Sequence, residues 1–157
     1  MKKFTIIFFF LAISCTSKDV VVKEIRFLHE NSNAQPSLVS GEGSLSLSWI
    51  SSNEGSKSTL NFSQLKEGKW INTQTMATGS NWFVNWADFP AHAINENLIL
   101  SSYLKKSDSG TYTYDVILSL QKLSGEKVKE DFLLNTDGVK AEHGFVSIIP
   151  NHNQGFF

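Results

Sequence analysis

Cysteine, arginine and proline are nearly missing from this 157-residue chain, which has one Cys, one Arg and three Pro. A lone Cys15 excludes any internal disulfide. A lone Arg26 excludes a site built from several guanidinium forks, the usual device for gripping carboxylates and phosphates. Excess charge of either sign is also absent: the formal net charge is −1. Phosphate binding calls for a basic surface, so nucleic acid is not expected as a partner. The four histidines, His29, His92, His143 and His152, lie far apart with no ligand spacing, so neither a metal nor any other cofactor is expected. No glycine-rich phosphate loop and no serine nucleophile elbow occurs. The longest apolar run, residues 4–13, falls well short of the roughly 20 residues that span a bilayer as a helix.

What the chain does have is aromatic and β-branched residues in alternating patterns. Hydrophobic content is 41% and aromatic content 12%, with abundant Ser, Thr and Asn, a mixture suited to pleated sheet. The N-terminus is set apart. Lys2 and Lys3 precede the apolar run, and Leu11-Ala12-Ile13-Ser14-Cys15 follows it. This pattern resembles the signal peptide and lipobox of bacterial lipoproteins. By that resemblance residues 1–14 are a signal-peptide helix that is cleaved away. Cys15 is then lipidated, 15–22 tether the protein, and two or three acyl chains hold it on a membrane. The expected location is the bacterial cell envelope, at the outer membrane, facing either the periplasm or the surface.

Residues 20–27 are β-prone and read as a first strand. Residues 29–35 are turn-rich, and Pro36 closes them. From Pro36 a repeat begins. Displaced by 54 positions, Pro36 falls on Pro90, Glu42 on Glu96, Ser48 on Ser102 and Trp49 on Tyr103. Each copy continues with a turn (51–56; 105–110), an alternating strand (59–65; 112–120), a tight glycine turn (67–69; 124–126) and a last strand (70–77; 128–134). Alternation of this kind marks half-buried strands. A period of 40 to 60 residues carrying four strands is the pattern of a propeller blade. The expected fold is therefore all-β. It is a partial β-propeller of about two four-stranded antiparallel blades, 36–89 and 90–149, within a domain spanning 23–157. A third blade begins at Pro150, and the chain reads as the N-terminal piece of a longer propeller.

Three stretches support a family resemblance: Trp82-Phe-Val-Asn-Trp-Ala-Asp-Phe-Pro90, Thr111-Tyr-Thr-Tyr-Asp-Val116 and Lys140-Ala-Glu-His-Gly-Phe-Val-Ser147. They resemble the sialidase-like β-propellers built from BNR or Asp-box repeats, in particular lipoproteins of Bacteroidetes-type bacteria. The Asp-box itself is worn. Residues 63–70 keep its Ser, Gly and Trp without the Asp, and 119–128 keep only Ser and Gly.

The resemblance implies a glycan-handling protein and, in its enzymatic form, an exo-α-sialidase. Sialidases use three arginines, an acid/base Asp, and a Tyr nucleophile paired with a Glu. Only Arg26 is present for the first role. Asp88, flanked by Trp86 and Phe89, is the candidate acid. Tyr112 and Tyr114 share a strand face, for which a cross-strand aromatic pair is the ordinary explanation. Glu142 and His143 occupy the join one blade after Asp88. Trp82, Asn85 and Trp86, with Glu142 and His143, are the candidate carbohydrate ligands: ring faces for stacking, amide and carboxylate for hydroxyls. If the 82–86 run is regular strand, Trp82, Val84 and Trp86 face away from Phe83 and Asn85. The expected activity is binding of glycan or another extracellular polymer without complete catalytic machinery. Nothing in the sequence sets the oligomeric state.

Overall fold

The computed structural model describes residues 19–27, 32–41, 43–52 and 57–157. The signal segment and Cys15 lie outside them, as does His29. The described chain is all-β, with no helix. Two four-stranded antiparallel sheets follow one another. The first holds β1 (Ser32–Gly41), β2 (Ser44–Ser52), β3 (Ser58–Lys66) and β4 (Lys69–Gly79) in chain order. The second holds β5 (His92–Asn95), β6 (Leu98–Lys106), β7 (Tyr114–Lys122) and β8 (Lys127–Leu133), again in chain order.

The repeat is visible in the strand ends. β6 is β2 moved 54 residues at both ends (44 to 98, 52 to 106), and β7 is β3 moved 56 (58 to 114, 66 to 122). The tight turns form as the glycine positions demand. Glu67 and Gly68 both take positive φ (50° and 75°) in the two-residue β3–β4 hairpin, a conformation that suits glycine. The serines of the two worn boxes bond away from their turns. Ser63 donates to the Ile71 carbonyl across the ladder, and Ser119 donates to the Met76 carbonyl of the other sheet.

Two expectations at the N-terminal side are corrected. Residues 20–27 form no strand, and Val20, Val21 and Val22 are exposed. Strand propensity there has no neighbouring strand to pair with, and β-propensity largely reflects packing against neighbours. Conversely, residues 32–35 are not a turn. β1 starts at Ser32 and runs through Pro36, with a bulge between Ala34 and Ser37 where Gln35 takes φ 52°. An edge strand tolerates proline at such a bulge because the missing N–H costs no ladder bond.

Between the sheets, one face of the first packs on one face of the second. Ile50, Leu60, Phe62 and Met76 meet Ile99, Tyr103 and Ile117. Leu60, Phe62, Met76 and Ile99 are fully buried, each worth about 1.5–3 kcal/mol relative to exposure. On the far side of the second sheet, Leu104, Val116 and Leu118 form a second cluster under Phe83, Phe132, Val146 and Ile148. These three are Ile50, Leu60 and Phe62 carried forward by the repeat (54, 56 and 56 positions). The outer face of the second sheet thus repeats the inner face of the first, and the extended segment containing Val146 and Ile148 covers it. The aromatic lids repeat too. Phe27 sits edge-on to Trp49, with ring centroids 4.7 Å apart, and Trp82 stacks on the equivalent Tyr103 at 4.1 Å.

A buried histidine also joins the sheets. On β5, His92 places Nε2 2.8 Å from the Ser46 hydroxyl and Nδ1 2.9 Å from the Ser48 hydroxyl, both on β2. Ser46 spends its proton on the Val39 carbonyl. It must therefore accept from His92 Nε2–H, while Ser48 donates to Nδ1. This fixes a neutral ring, and burial lowers its pKa to about 4.

Candidate functional site

Two connections leave the sheets and meet over the start of β7. The first, after β4, is not regular strand. Trp82 makes an isolated antiparallel bridge to Lys105, Phe83 N–H donates to the Leu104 carbonyl, and the chain then turns. The turn is built by Asn85, whose side-chain oxygen accepts from the Ala87 and Asp88 amides, as asparagine does in an Asx-turn. The second connection, after β8, bridges Glu142 to Tyr114 in parallel.

Asp88 is where the two connections lock together. Its carboxylate accepts from Asn85 Nδ2 at 2.8 Å, from the Phe145 amide at 3.2 Å, and weakly from the Tyr114 hydroxyl at 3.4 Å. Asp88 is 8% exposed. Gly144 lets the second connection come this close: a Cβ there would lie 2.5 Å from Asp88 Oδ1. Tyr114 hydroxyl donates mainly to Glu142 Oε1, at 2.8 Å. Burial first, then the bond to Glu142 and the two carboxylate charges, push the Tyr114 pKa up. The ring is fully buried and stacked on Phe83 at 4.2 Å, with exposed Tyr112 edge-on to the same Phe83.

Gln35, in the β1 bulge, reaches the same place. Its Nε2 donates to the Asn85 and Asp88 carbonyls. A small crevice there is lined by Gln35, Asp88, Phe89, Tyr103 and Phe145. Phe145 is 75% exposed and holds φ 57°, an uncommon conformation for a bulky residue.

The sequence-derived candidates divide accordingly. Asp88, Asn85 and Glu142 come together: Asn85 bonds to Asp88 directly, and the Tyr114 hydroxyl ties Asp88 to Glu142. His143 sits beside them but bonds outward, with Nε2 3.1 Å from Asp137 and Nδ1 3.1 Å from the Tyr114 carbonyl and 3.5 Å from Asp115. The hydrogen bond to Asp137 raises its pKa. Trp82 is occupied by its stack on Tyr103. Trp86 is 89% exposed on the turn that Asn85 holds. Arg26 does not line this crevice and lines instead a groove with Phe27, Trp49 and Trp70. Sequence reasoning missed Gln35 and Phe145. Gln35 was hidden in a stretch whose composition reads as a turn. Phe145 carried one signal, its place after His-Gly in a stretch that echoes the first connection.

No family model matches this chain, and neither the curated proteins nor the solved structures include a match.

Proposed function

We propose that this chain is the N-terminal part of a lipid-anchored, sialidase-like β-propeller of the bacterial cell envelope, and that it binds glycan rather than cleaving it. The propeller reading is supported by the two like-ordered sheets and by the repeated apolar face: Leu104, Val116 and Leu118, covered by Phe83, Phe132, Val146 and Ile148, repeat in the second sheet the face that Ile50, Leu60 and Phe62 present in the first. The observation that carries glycan binding is Trp86. A large indole displayed to water is available for contact, and here it stands on a turn pinned by hydrogen bonds that the Ala87 and Asp88 amides donate to Asn85. Phe89 and Phe145, both exposed, flank the same connections. Rigid aromatic faces beside amides and carboxylates are suited to stacking on sugar rings.

The test is direct. Trp86→Ala should weaken retention on immobilised extracellular polysaccharide about tenfold or more and leave the melting temperature unchanged. Unaltered retention would refute the assignment of Trp86. For the anchor, cells fed a radioactive or clickable fatty acid should label the wild-type chain, and Cys15→Ser should abolish the label. Labelling that survives this change would exclude a lipoprotein.

A second reading, an exo-α-sialidase, has one observation in its favour: Tyr114 bonded to Glu142, with Asp88 beside it. The environment opposes it. The Tyr114 ring is sealed beneath Phe83, its pKa moves away from ionisation, and Arg26 is the chain's single arginine. Hydrolysis of a fluorogenic sialoside by the purified chain is expected to stay at background. Clear turnover that Tyr114→Phe removes would establish the enzyme.

A further inference from the structure

The crevice between the two connections has an unusual balance of polar groups. Its buried group without a hydrogen-bond partner is an acceptor, and its one charged group is a carboxylate. Gln35 is 5% exposed, and its orientation is fixed because Nε2 donates to two carbonyls. Its Oε1 is consequently turned away from them, buried and without a hydrogen-bond partner. A buried amide oxygen left unpaired forfeits the hydrogen bond it would make to water in the unfolded chain. Asp88 lines the same crevice, and its carboxylate is stabilised only by neutral donors, one of them at 3.4 Å. Through Tyr114 it is coupled to a second carboxylate, Glu142. Among the described residues neither acid forms an ion pair. Lys106, the ammonium lying over the Phe83 ring, is spent on the Gly110 and Thr111 carbonyls. The walls are aromatic, from Phe83, Phe89, Tyr103 and Phe145, and the space admits little more than one water-sized group.

We infer that this crevice is a subsite for a primary ammonium group, and that the ligand bearing it is an amino sugar with a free amine. An ammonium is water-sized and brings three donors and a positive charge. Gln35 Oε1 and Asp88 lack a donor and a counter-charge, and the faces of aromatic rings attract a cation. An anionic sugar acid would meet the Asp88 carboxylate, with Glu142 one hydrogen bond behind it through Tyr114, and no guanidinium. The exposed ring of Phe145 at the mouth can carry the body of the sugar. The choice of a sugar rests on the glycan reading above; the ammonium subsite itself does not.

The experiment is a nuclear magnetic resonance titration of the full chain, following the Gln35 side-chain amide and the Asn85 and Phe145 backbone amides. Methylammonium chloride, referenced to equal potassium chloride, should shift these signals saturably below about 100 mM. A fully deacetylated chitosan trimer should bind about tenfold more tightly than its N-acetylated counterpart. Asp88→Asn should remove the preference for the free amine. Glu142→Gln, which leaves Asp88 and its bonds to Asn85 and Phe145 in place, should weaken amine binding several-fold and keeps the proposal testable if Asp88→Asn fails to fold. No saturable response to methylammonium, or equal affinity for the two trimers, would overturn the inference. In either case, retention of the acetylated trimer would leave glycan binding standing. Response to methylammonium with no binding of either trimer would overturn the amino-sugar assignment and the glycan reading together.

Discussion

Asp88→Ala should lower the melting temperature by about 10 °C, with Asp88→Asn costing less than half as much. The carboxylate is the single acceptor for groups from three places: the Asn85 amide, the Phe145 backbone N–H and, at longer range, the Tyr114 hydroxyl. Hydrogen bonds to a charged group contribute about 1.5–3 kcal/mol each, and such values are not additive within one network. Alanine also relieves the cost of keeping a carboxylate away from water, which works in the opposite direction. A net loss of about 3 kcal/mol follows, and for a chain of this length each kcal/mol moves the midpoint by roughly 2–4 °C. Asparagine retains the shape and one acceptor oxygen, hence its smaller effect. Gly144→Ala strikes the same contact from the other side, because its Cβ would press on Asp88 Oδ1 at 2.5 Å. Thermal melts of the three variants decide the matter. If Asp88→Ala melts within 2 °C of the wild type, the carboxylate does not hold the two connections together.

Acidification should destabilise the protein through His92 before the bulk of its carboxylates titrate. In the folded state His92 has a pKa of about 4, against 6.5 for an unperturbed histidine. Between these values the unfolded chain binds a proton that the folded chain refuses. The sign is therefore fixed: the His92 contribution is intact above about pH 6.5 and is lost progressively as pH falls to about 4, amounting to about 3 kcal/mol. The physical reason is the hydroxyl pair. Charging the ring puts a proton on Nδ1, where Ser48 already donates, and does so in a fully desolvated contact between sheets. His143 acts with the opposite sign. Its pKa is raised by Asp137, so its contribution is present at low pH and fades as pH rises through that value. Chemical denaturation at steps from pH 7.5 to 4 should show wild-type stability falling steeply. His92→Gln should begin less stable at neutral pH and decline less, so that the two curves converge near pH 4. Parallel curves would remove His92 from the explanation.

The architecture was legible where side chains alternate against a partner. Trp49 and Tyr103, aligned by the 54-residue displacement, are both buried under an aromatic lid, and the strands on either side of them fall close to where alternation put them. It was not legible where composition and context disagree. Val20, Val21 and Val22 have the right side chains yet are exposed and pair with no strand among the described residues. Ser32 and Asn33 have turn-forming side chains, yet they pair with Ser52 and Ser51 along the edge of β2, while Gln35 sits in the bulge. The site shows the same division. Asp88 stood out locally by its aromatic neighbours. Its partners Tyr114 and Phe145 are 26 and 57 positions away, and Gln35 is 53 positions before it. No local pattern encodes such contacts; they exist because β1, β7 and two irregular connections converge in space.

The proline-bearing bulge of β1 has a consequence for how this protein behaves in company. Eight strands in two open sheets leave four rims, each able in principle to template a foreign strand. Pro36 and the break between Ala34 and Ser37 deny one rim a continuous row of donors. β4 is interrupted twice in its register, β5 is only four residues long, and β8 carries Lys127, Lys129, Glu130 and Asp131 along seven. Each of the four described rims is thereby made a poorer template for a strand from another molecule.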